Sequence, residues 1–362
     1  MSNPMDIEKY ATLTDLDERL AAADEMISQD FKEIIGQEQA KARARQTLLG
    51  VICENGFMPS QLYTAPPGVG KSLFMRVMKG LVKKVTATPN NLKGRKTIYF
   101  ESGKAMKTPL MFFTDCLVKH VHDTDAVIFG DEIHEAKPGV LSLIRDCLEP
   151  DVKRSPKLVK LGDDGEVLFN PLRHSILIAT NKIDMLDDAL VSRFERNNLV
   201  PYSDEEMEQI LFKGLKDSGI VFHPNSLRKL AECARGTGRD VVAMCNSVRR
   251  YLAIARKNTI NKDDVAIIIA QRETLPVGVT LQELKTLILL EKYGPSQLQS
   301  LAAKNGVSSA EQKTFEKYLY SRGFLNVEGV RILTEAGHNY LAMLRESNLI
   351  EKADPMPFGK IS

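Results

Sequence analysis

Lys71 and Ser72 close the run Gln61-Leu62-Tyr63-Thr64-Ala65-Pro66-Pro67-Gly68-Val69-Gly70-Lys71-Ser72, which reads as a short apolar strand, a glycine-bearing turn and the start of a helix. Residues in this order build a phosphate cradle. Backbone N–H groups of the turn and the helix N-terminus face nucleotide phosphates, the Lys71 ammonium reaches the outer ones, and the Ser72 hydroxyl can ligate magnesium. The cradle is assigned to Pro67, Gly68, Val69, Gly70, Lys71, Ser72 and Leu73, and the cofactors to a nucleoside triphosphate and Mg2+. Ala65 stands where the general pattern has its first glycine, so the match lies in the later half of the motif.

Further along, Asp125-Ala126-Val127-Ile128-Phe129-Gly130-Asp131-Glu132-Ile133-His134 is an apolar strand that ends in two adjacent carboxylates. At the mouth of a parallel sheet such a pair divides the work of a magnesium-dependent phosphate site. Asp131 supports the ion, partly through water, and Glu132 orients and activates the attacking water. Acidic pairs at strand ends are often only helix caps, but one that follows a phosphate loop points to hydrolysis. His134 is read as a packing or capping residue rather than a metal ligand.

These groups need elements to position them. Short apolar strands are expected at Gln61 to Thr64, Thr97 to Glu101, Ala126 to Gly130, Ser175 to Thr180 and near Asn198 to Pro201, alternating with helical patterns. That alternation predicts an α/β domain with a mostly parallel sheet. Between the second carboxylate and the later strands, residues 149–173 carry Asp163-Asp164-Gly165 between apolar flanks and predict a projecting hairpin: a partner contact, a pore element or plain surface. Residues 81–95, rich in Lys, Asn and Thr, read as a basic surface loop or a specific contact. From Ser203 to Arg272 the spacing is helical, opened by the cap Ser203-Asp204-Glu205-Glu206. From Thr280 to Leu344, three helices precede two short strands around Glu328-Gly329, the order of a winged helix whose third helix is expected over Ala310 to Arg322. The division is thus an N-terminal extension over 1–29, a nucleotide domain over 30–201, a helical domain over 202–274, a winged helix over 275–346 and a loose tail over 347–362.

A chain of 362 residues is long enough for two or three cores. Its formal net charge of +2 does not advertise a polyanion partner, although a local basic face could still hold a nucleic acid backbone. No apolar run is long enough to span a bilayer. The five cysteines, Cys53, Cys116, Cys147, Cys233 and Cys245, are odd in number, widely spaced and mostly in apolar helical contexts, which predicts reduced, buried thiols in the cytoplasm.

On these motifs the chain resembles the AAA+ ATPases, and within them the RuvB family of Holliday-junction branch-migration motors, over about Phe31 to Leu341. The stretches that carry the resemblance are Ile34-Ile35-Gly36-Gln37, Pro66 to Ser72, Ser102-Gly103-Lys104-Ala105, Asp131-Glu132-Ile133-His134, Ala179-Thr180-Asn181, Leu190-Val191-Ser192-Arg193-Phe194, Arg235-Gly236-Thr237-Gly238-Arg239 and Leu289-Leu290-Glu291-Lys292-Tyr293-Gly294. The resemblance implies an AAA+ nucleotide domain, a helical lid and a C-terminal winged helix, assembled as a hexameric ring around double-stranded DNA. It further implies that Asn181, or Thr180, is the polar sensor at a strand tip and that Arg193 is a finger reaching a neighbour's nucleotide. Arg239 would be the lid residue that feels phosphate in its own subunit, and Ile34 and Ile35 would pack near the adenine.

Departures from the family bear on the DNA side. The hairpin over 151–173 does not match the family's partner-binding hairpin well, so an adaptor there is absent or different. The wing has gained Glu328 and lost positive charge; Arg331 remains a phosphate candidate, with Lys313, Lys317 and Arg322 on or near the third helix. These features mark a divergent relative, of a kind a phage or mobile element would encode. The leading expectation is an ATP-driven motor on duplex DNA, with four-way junctions among its substrates. A loader or replication initiator is one alternative, and a protein-remodelling ATPase whose winged helix binds protein is the other.

Overall fold

The computed structural model describes residues 7–54, 56–100, 108–121, 124–161 and 165–350. The chain divides into two compact units, Met1–Tyr202 and Ser203–Ser362. In the first, the strands are β1 (Gln61–Thr64), β2 (Lys96–Phe100), β3 (Ala126–Gly130), β4 (Lys157–Lys160), β5 (Glu166–Phe169), β6 (His174–Thr180) and β7 (Glu195–Asn198). Five of them form one sheet in the order β2-β3-β6-β1-β7, every pairing parallel. β3 and β6 are buried along their whole length, as strands covered on both faces must be. Their side chains alternate between two cores: Val127, Phe129, Leu177 and Ala179 on one face, Ala126, Ile128, Ile176 and Ile178 on the other.

The last strand lies earlier than the apolar Leu199-Val200-Pro201 suggests. Pairing with β1 sets its register at Gln61↔Glu195 through Thr64↔Asn198, and Leu199 follows as a buried residue whose N–H donates to Thr64 O. Pro201 has no N–H for a ladder.

Two other segments differ from their sequence reading. Residues 81–95 are a surface loop only in part, with Pro89 to Lys93 exposed. Leu81, Val82 and Val85 complete the buried face of helix Lys71–Val85, and Arg95 is buried with Nη2 donating to the carbonyls of Gly56 and Leu172. Gly94, at φ 62°, lies so close over the helix end that a Cβ there would meet Lys83 O at 2.0 Å. The segment before residue 30 is built into the nucleotide domain's own core: Tyr10, Ala23, Met26 and Ile27 pack with Phe74, Met78 and Val82 of the phosphate-loop helix.

β4 and β5 pair antiparallel as the expected hairpin. Val159, Val167 and Phe169 are buried against the domain, whereas Leu158 and Leu168, directly opposite each other, are exposed. The turn residues 162–164 lie outside the described residues, as does Ser102-Gly103-Lys104-Ala105. Four cysteines are buried, and Cys53 is exposed. No helix among the described residues is long and apolar enough to cross a membrane.

The second unit joins the helical segment and the winged helix. After helix Asp204–Leu215 come the short strands β8 (Val221–Phe222) and β9 (Thr259–Ile260), then three helices Leu281–Tyr293, Leu298–Asn305 and Ser309–Ser321, and the antiparallel wing β10 (Leu325–Glu328) and β11 (Val330–Leu333). Arg235 bridges the two segments. Its guanidinium makes a bidentate pair with buried Glu283 (2.6 and 2.8 Å) and lies 3.9 Å from the centre of the Tyr318 ring.

Candidate nucleotide site

The C-terminal edge of the sheet gathers the phosphate loop after β1, the carboxylates after β3 and the polar tip of β6, because parallel strands open at one end onto the same crevice. Gly68 (φ 83°) and Gly70 (φ 85°) are left-handed, and a Cβ on Gly70 would stand 2.4 Å from the Tyr202 hydroxyl. Helix Lys71–Val85 starts at once, which places Lys71 and Ser72 at its N-terminus. Lys71 is 8% exposed, and its ammonium lies 2.7 Å from Glu132 Oε1 and 3.3 Å from Asp131 Oδ1. The Ser72 hydroxyl donates to Asp131 Oδ2 at 2.9 Å. Tyr99, near the end of β2, adds a hydroxyl 3.4 Å from the same oxygen.

Glu132 occupies the left-handed region at φ 50°, ψ 47°, a conformation that costs energy for a residue with a Cβ. It turns the chain sharply into the short helix Ile133–Glu135, which brings His134 under the carboxylates. His134 Nδ1 stands 3.0 Å from Thr180 Oγ1 at the tip of β6 and 3.4 Å from Glu132 Oε2. The histidine is therefore part of this cluster, which its reading as a packing residue missed. Its position three residues after Asp131 was the available signal. Asn181 follows Thr180, and its buried Oδ1 has no hydrogen-bond partner.

Ile34 is buried in the core beside Phe31, and Ile35 is half-buried. Gly36 and Gln37 are both left-handed, and the Gln37 amide clamps Val200, donating to its carbonyl (2.7 Å) and accepting its N–H (3.0 Å). This clamp ties the Ile34-Ile35 stretch to the end of β7 and was not anticipated.

Arg193 is not in this cluster. It precedes β7, whose Glu195 pairs with Gln61 at the start of β1, so it sits at the N-terminal edge of the sheet, opposite the phosphate loop. Its Nη1 donates to Ala189 O, its buried Nε has no partner, and it lines a cavity of about 340 Å³ with Ser60, Arg154, Glu195 and His174. Arg239 is exposed in the first turn of helix Gly238–Ala255 in the second unit, after the N-cap Thr237.

The four candidate DNA contacts divide evenly. Lys313 and Lys317 are exposed on helix Ser309–Ser321. Arg331 is instead an internal residue: its Nε donates to both oxygens of buried Glu316 at 3.1 and 3.0 Å. Arg322 pairs with Asp204 at 2.9 Å. Glu316 extends a buried polar chain through Gln312 to Thr286 and Asn305, so Arg331 neutralises a charge the core requires.

Hard oxygen donors from Ser72 and Asp131, beside a buried ammonium and a glycine turn, suit a nucleotide whose phosphates and waters complete a magnesium shell. Residues 61–202 match the family model described as ATPase family associated with various cellular activities (AAA). That stretch is an AAA ATPase domain. Over most of its length the chain is similar to RuvB proteins. The Holliday junction branch migration complex subunit RuvB of Chloroflexus aurantiacus is 26% identical over 319 residues, covering 86% of this chain and 87% of its own. That of Leuconostoc mesenteroides is 26% identical over 359 residues, covering 94% and 97%. In fold, the Thermotoga maritima RuvB Holliday junction branch migration motor matches with a TM-score of 0.63 at 22% identity, over 86% of this chain and 96% of that one.

Proposed function

We propose that this ATPase is a ring-forming motor that moves double-stranded DNA, in the manner of branch migration at four-way junctions. The observation that carries the reading is the split site. Lys71, Ser72, Asp131, Glu132 and Asn181 lie at one edge of the sheet, while Arg193 stands at the other, so a nucleotide that Arg193 serves is one held elsewhere. The RuvB relatives, matched through the winged helix, support the DNA side. In this reading residues 30–201 form the nucleotide domain, 202–274 the lid with Arg239 and 275–346 the DNA-facing winged helix.

The roles follow from chemistry. Lys71 leaves its carboxylates for the outer phosphates of ATP, Ser72 and Asp131 hold Mg2+, and Glu132, released from Lys71, orients water. Bound Mg2+ supplies charge neutralisation at the phosphate oxygens. Ile34 and Ile35 flank the base, and Pro67 to Leu73 wrap the phosphates. Asn181 offers its unpartnered oxygen to water or its amide to the terminal phosphate. A neighbour's Arg193 stabilises charge that forms only in the transition state.

The exposed Leu158–Leu168 pair gives the hairpin a face for a protein adaptor. The engagement of Arg322 and Arg331 inside the unit favours a second reading, in which the winged helix contacts protein and the ATPase loads or remodels a partner. Steady-state hydrolysis over a protein concentration series separates them, with and without linear duplex and four-way-junction DNA, at low and physiological salt. Turnover that rises with assembly and with DNA supports the motor. Turnover that rises with assembly and ignores every DNA supports the second reading.

A further inference from the structure

The imidazole of His134 stands between the turn after β3 and the tip of β6, beyond Gly130 and Ile178 where the pairing of these strands ends. Its side chain is 6% exposed and stands between the carboxylate of Glu132 and the tip of β6. Glu132 Oε1 is taken by Lys71, whereas Oε2 is buried, makes no hydrogen bond among the described residues and lies 3.4 Å from His134 Nδ1. The same Nδ1 is 3.0 Å from Thr180 Oγ1, which also accepts the N–H of Lys182 at 3.0 Å.

The proton count selects a tautomer. With hydrogen on Nε2, the Thr180 hydroxyl donates to Nδ1, and the ring then turns a lone pair toward the unsatisfied Oε2. With hydrogen on Nδ1, the N–H donates to Thr180 Oγ1, and Glu132 Oε2, 3.4 Å away and outside hydrogen-bond geometry, is a second acceptor close by. A buried acceptor left bare costs on the order of 1–3 kcal/mol, so a small closure that brings Oε2 onto this N–H favours the second arrangement.

We propose that His134 is a positioning residue for hydrolysis, whose single Nδ1–H is shared between Thr180 and Glu132 and passes the state of the β6 tip to the carboxylate that orients water. The inference rests on Glu132 acting in the ATPase reaction. Asn181 is covalently next to Thr180, so a terminal phosphate or water drawn to Asn181 moves the Thr180 hydroxyl with it. A sub-ångström movement is enough to transfer the N–H from Thr180 Oγ1 to Glu132 Oε2. Oε2 is then fixed by the imidazole, and Oε1, released by Lys71, is presented to the water. The turn that carries Glu132 is anchored by Ile133, which is buried in the core.

The test is steady-state hydrolysis and nucleotide affinity for wild type, His134→Ala, His134→Asn and Thr180→Val, with thermal unfolding as a check on folding. His134→Ala should lower kcat about ten- to a hundredfold, the scale of a misplaced catalytic group, and leave the affinity for a non-hydrolysable ATP analogue within about twofold. An asparagine amide places an N–H near the Nδ1 position, so His134→Asn should recover most of the loss. His134→Ala combined with Thr180→Val should be no slower than His134→Ala alone, because both break one link. Unchanged kcat in His134→Ala overturns the proposal, as does equal loss in the asparagine variant or weakened nucleotide binding in a folded protein. If alanine unfolds the chain, the asparagine and valine variants carry the same decision. Glu132→Gln is the separate control: retained turnover there removes the assignment of Glu132 itself, whatever the His134 result.

Discussion

At the scale of single residues, the site is a set of charges that satisfy one another. Lys71, buried at the head of its helix, has its ammonium held by Asp131 and Glu132. Replacing Lys71 by Ala removes the cation that the outer phosphates need and leaves the two carboxylates facing each other, so nucleotide affinity should fall severalfold or more in equilibrium titration. Glu132→Gln keeps the shape and removes the base; turnover should fall about 10² to 10⁴-fold with analogue affinity retained. The two variants thus separate binding from chemistry, which hydrolysis assays alone would not.

Elements decide whether those charges can meet. The phosphate loop works because Gly70 takes a left-handed turn under the Tyr202 hydroxyl, where a Cβ would stand 2.4 Å away. Gly70→Ala should therefore weaken nucleotide binding and lower the unfolding midpoint together, since the left-handed dihedral is strained for a residue with a Cβ and the Tyr202 side chain would have to shift. In the second unit, the Arg345 guanidinium, hydrogen-bonded to Glu291, holds that carboxyl below its ordinary value against the opposing effect of burial. A depressed carboxylate stabilises the fold above the unfolded value and loses that contribution as pH falls through the folded one. The difference in unfolding midpoint between wild type and Glu291→Gln should accordingly be full near neutral pH and shrink below about pH 4. A difference that grows on acidification would contradict this link between helices Leu281–Tyr293 and Glu335–Glu346.

At the scale of the whole molecule, the position of Arg193 makes an assembly prediction. On the proposed roles, a chain that holds its phosphates at one edge of the sheet and its finger at the other completes no site alone. Arg193→Ala should keep analogue binding and lose about 10³ to 10⁵ in turnover. Mixed with Lys71→Ala, which keeps its finger, it should regain activity at those interfaces that pair an intact Lys71 with an intact Arg193. No recovery on mixing, under conditions where wild-type turnover rises with concentration, would place the arginine's role within its own subunit.

The sequence alone determined the local chemistry. A glycine turn before Lys71-Ser72, an apolar strand ending in Asp131-Glu132 and strands alternating with helices are short-range patterns, and each element formed where its period and caps placed it, with small shifts at the ends. Only the tertiary structure decided which charges are available and which are already matched. Arg331 looks like a surface cation in a wing, yet a buried Glu316 from another element claims it; Arg95 looks like part of a basic loop, yet it caps two carbonyls beneath the sheet. His134 looks like a packing residue, yet the left-handed turn at Glu132 carries it to Thr180, distant in sequence. Periodicity reports burial along one element, whereas pairing depends on what a second element brings within 3 Å, and that is set by sheet order and helix packing rather than by neighbours in the chain.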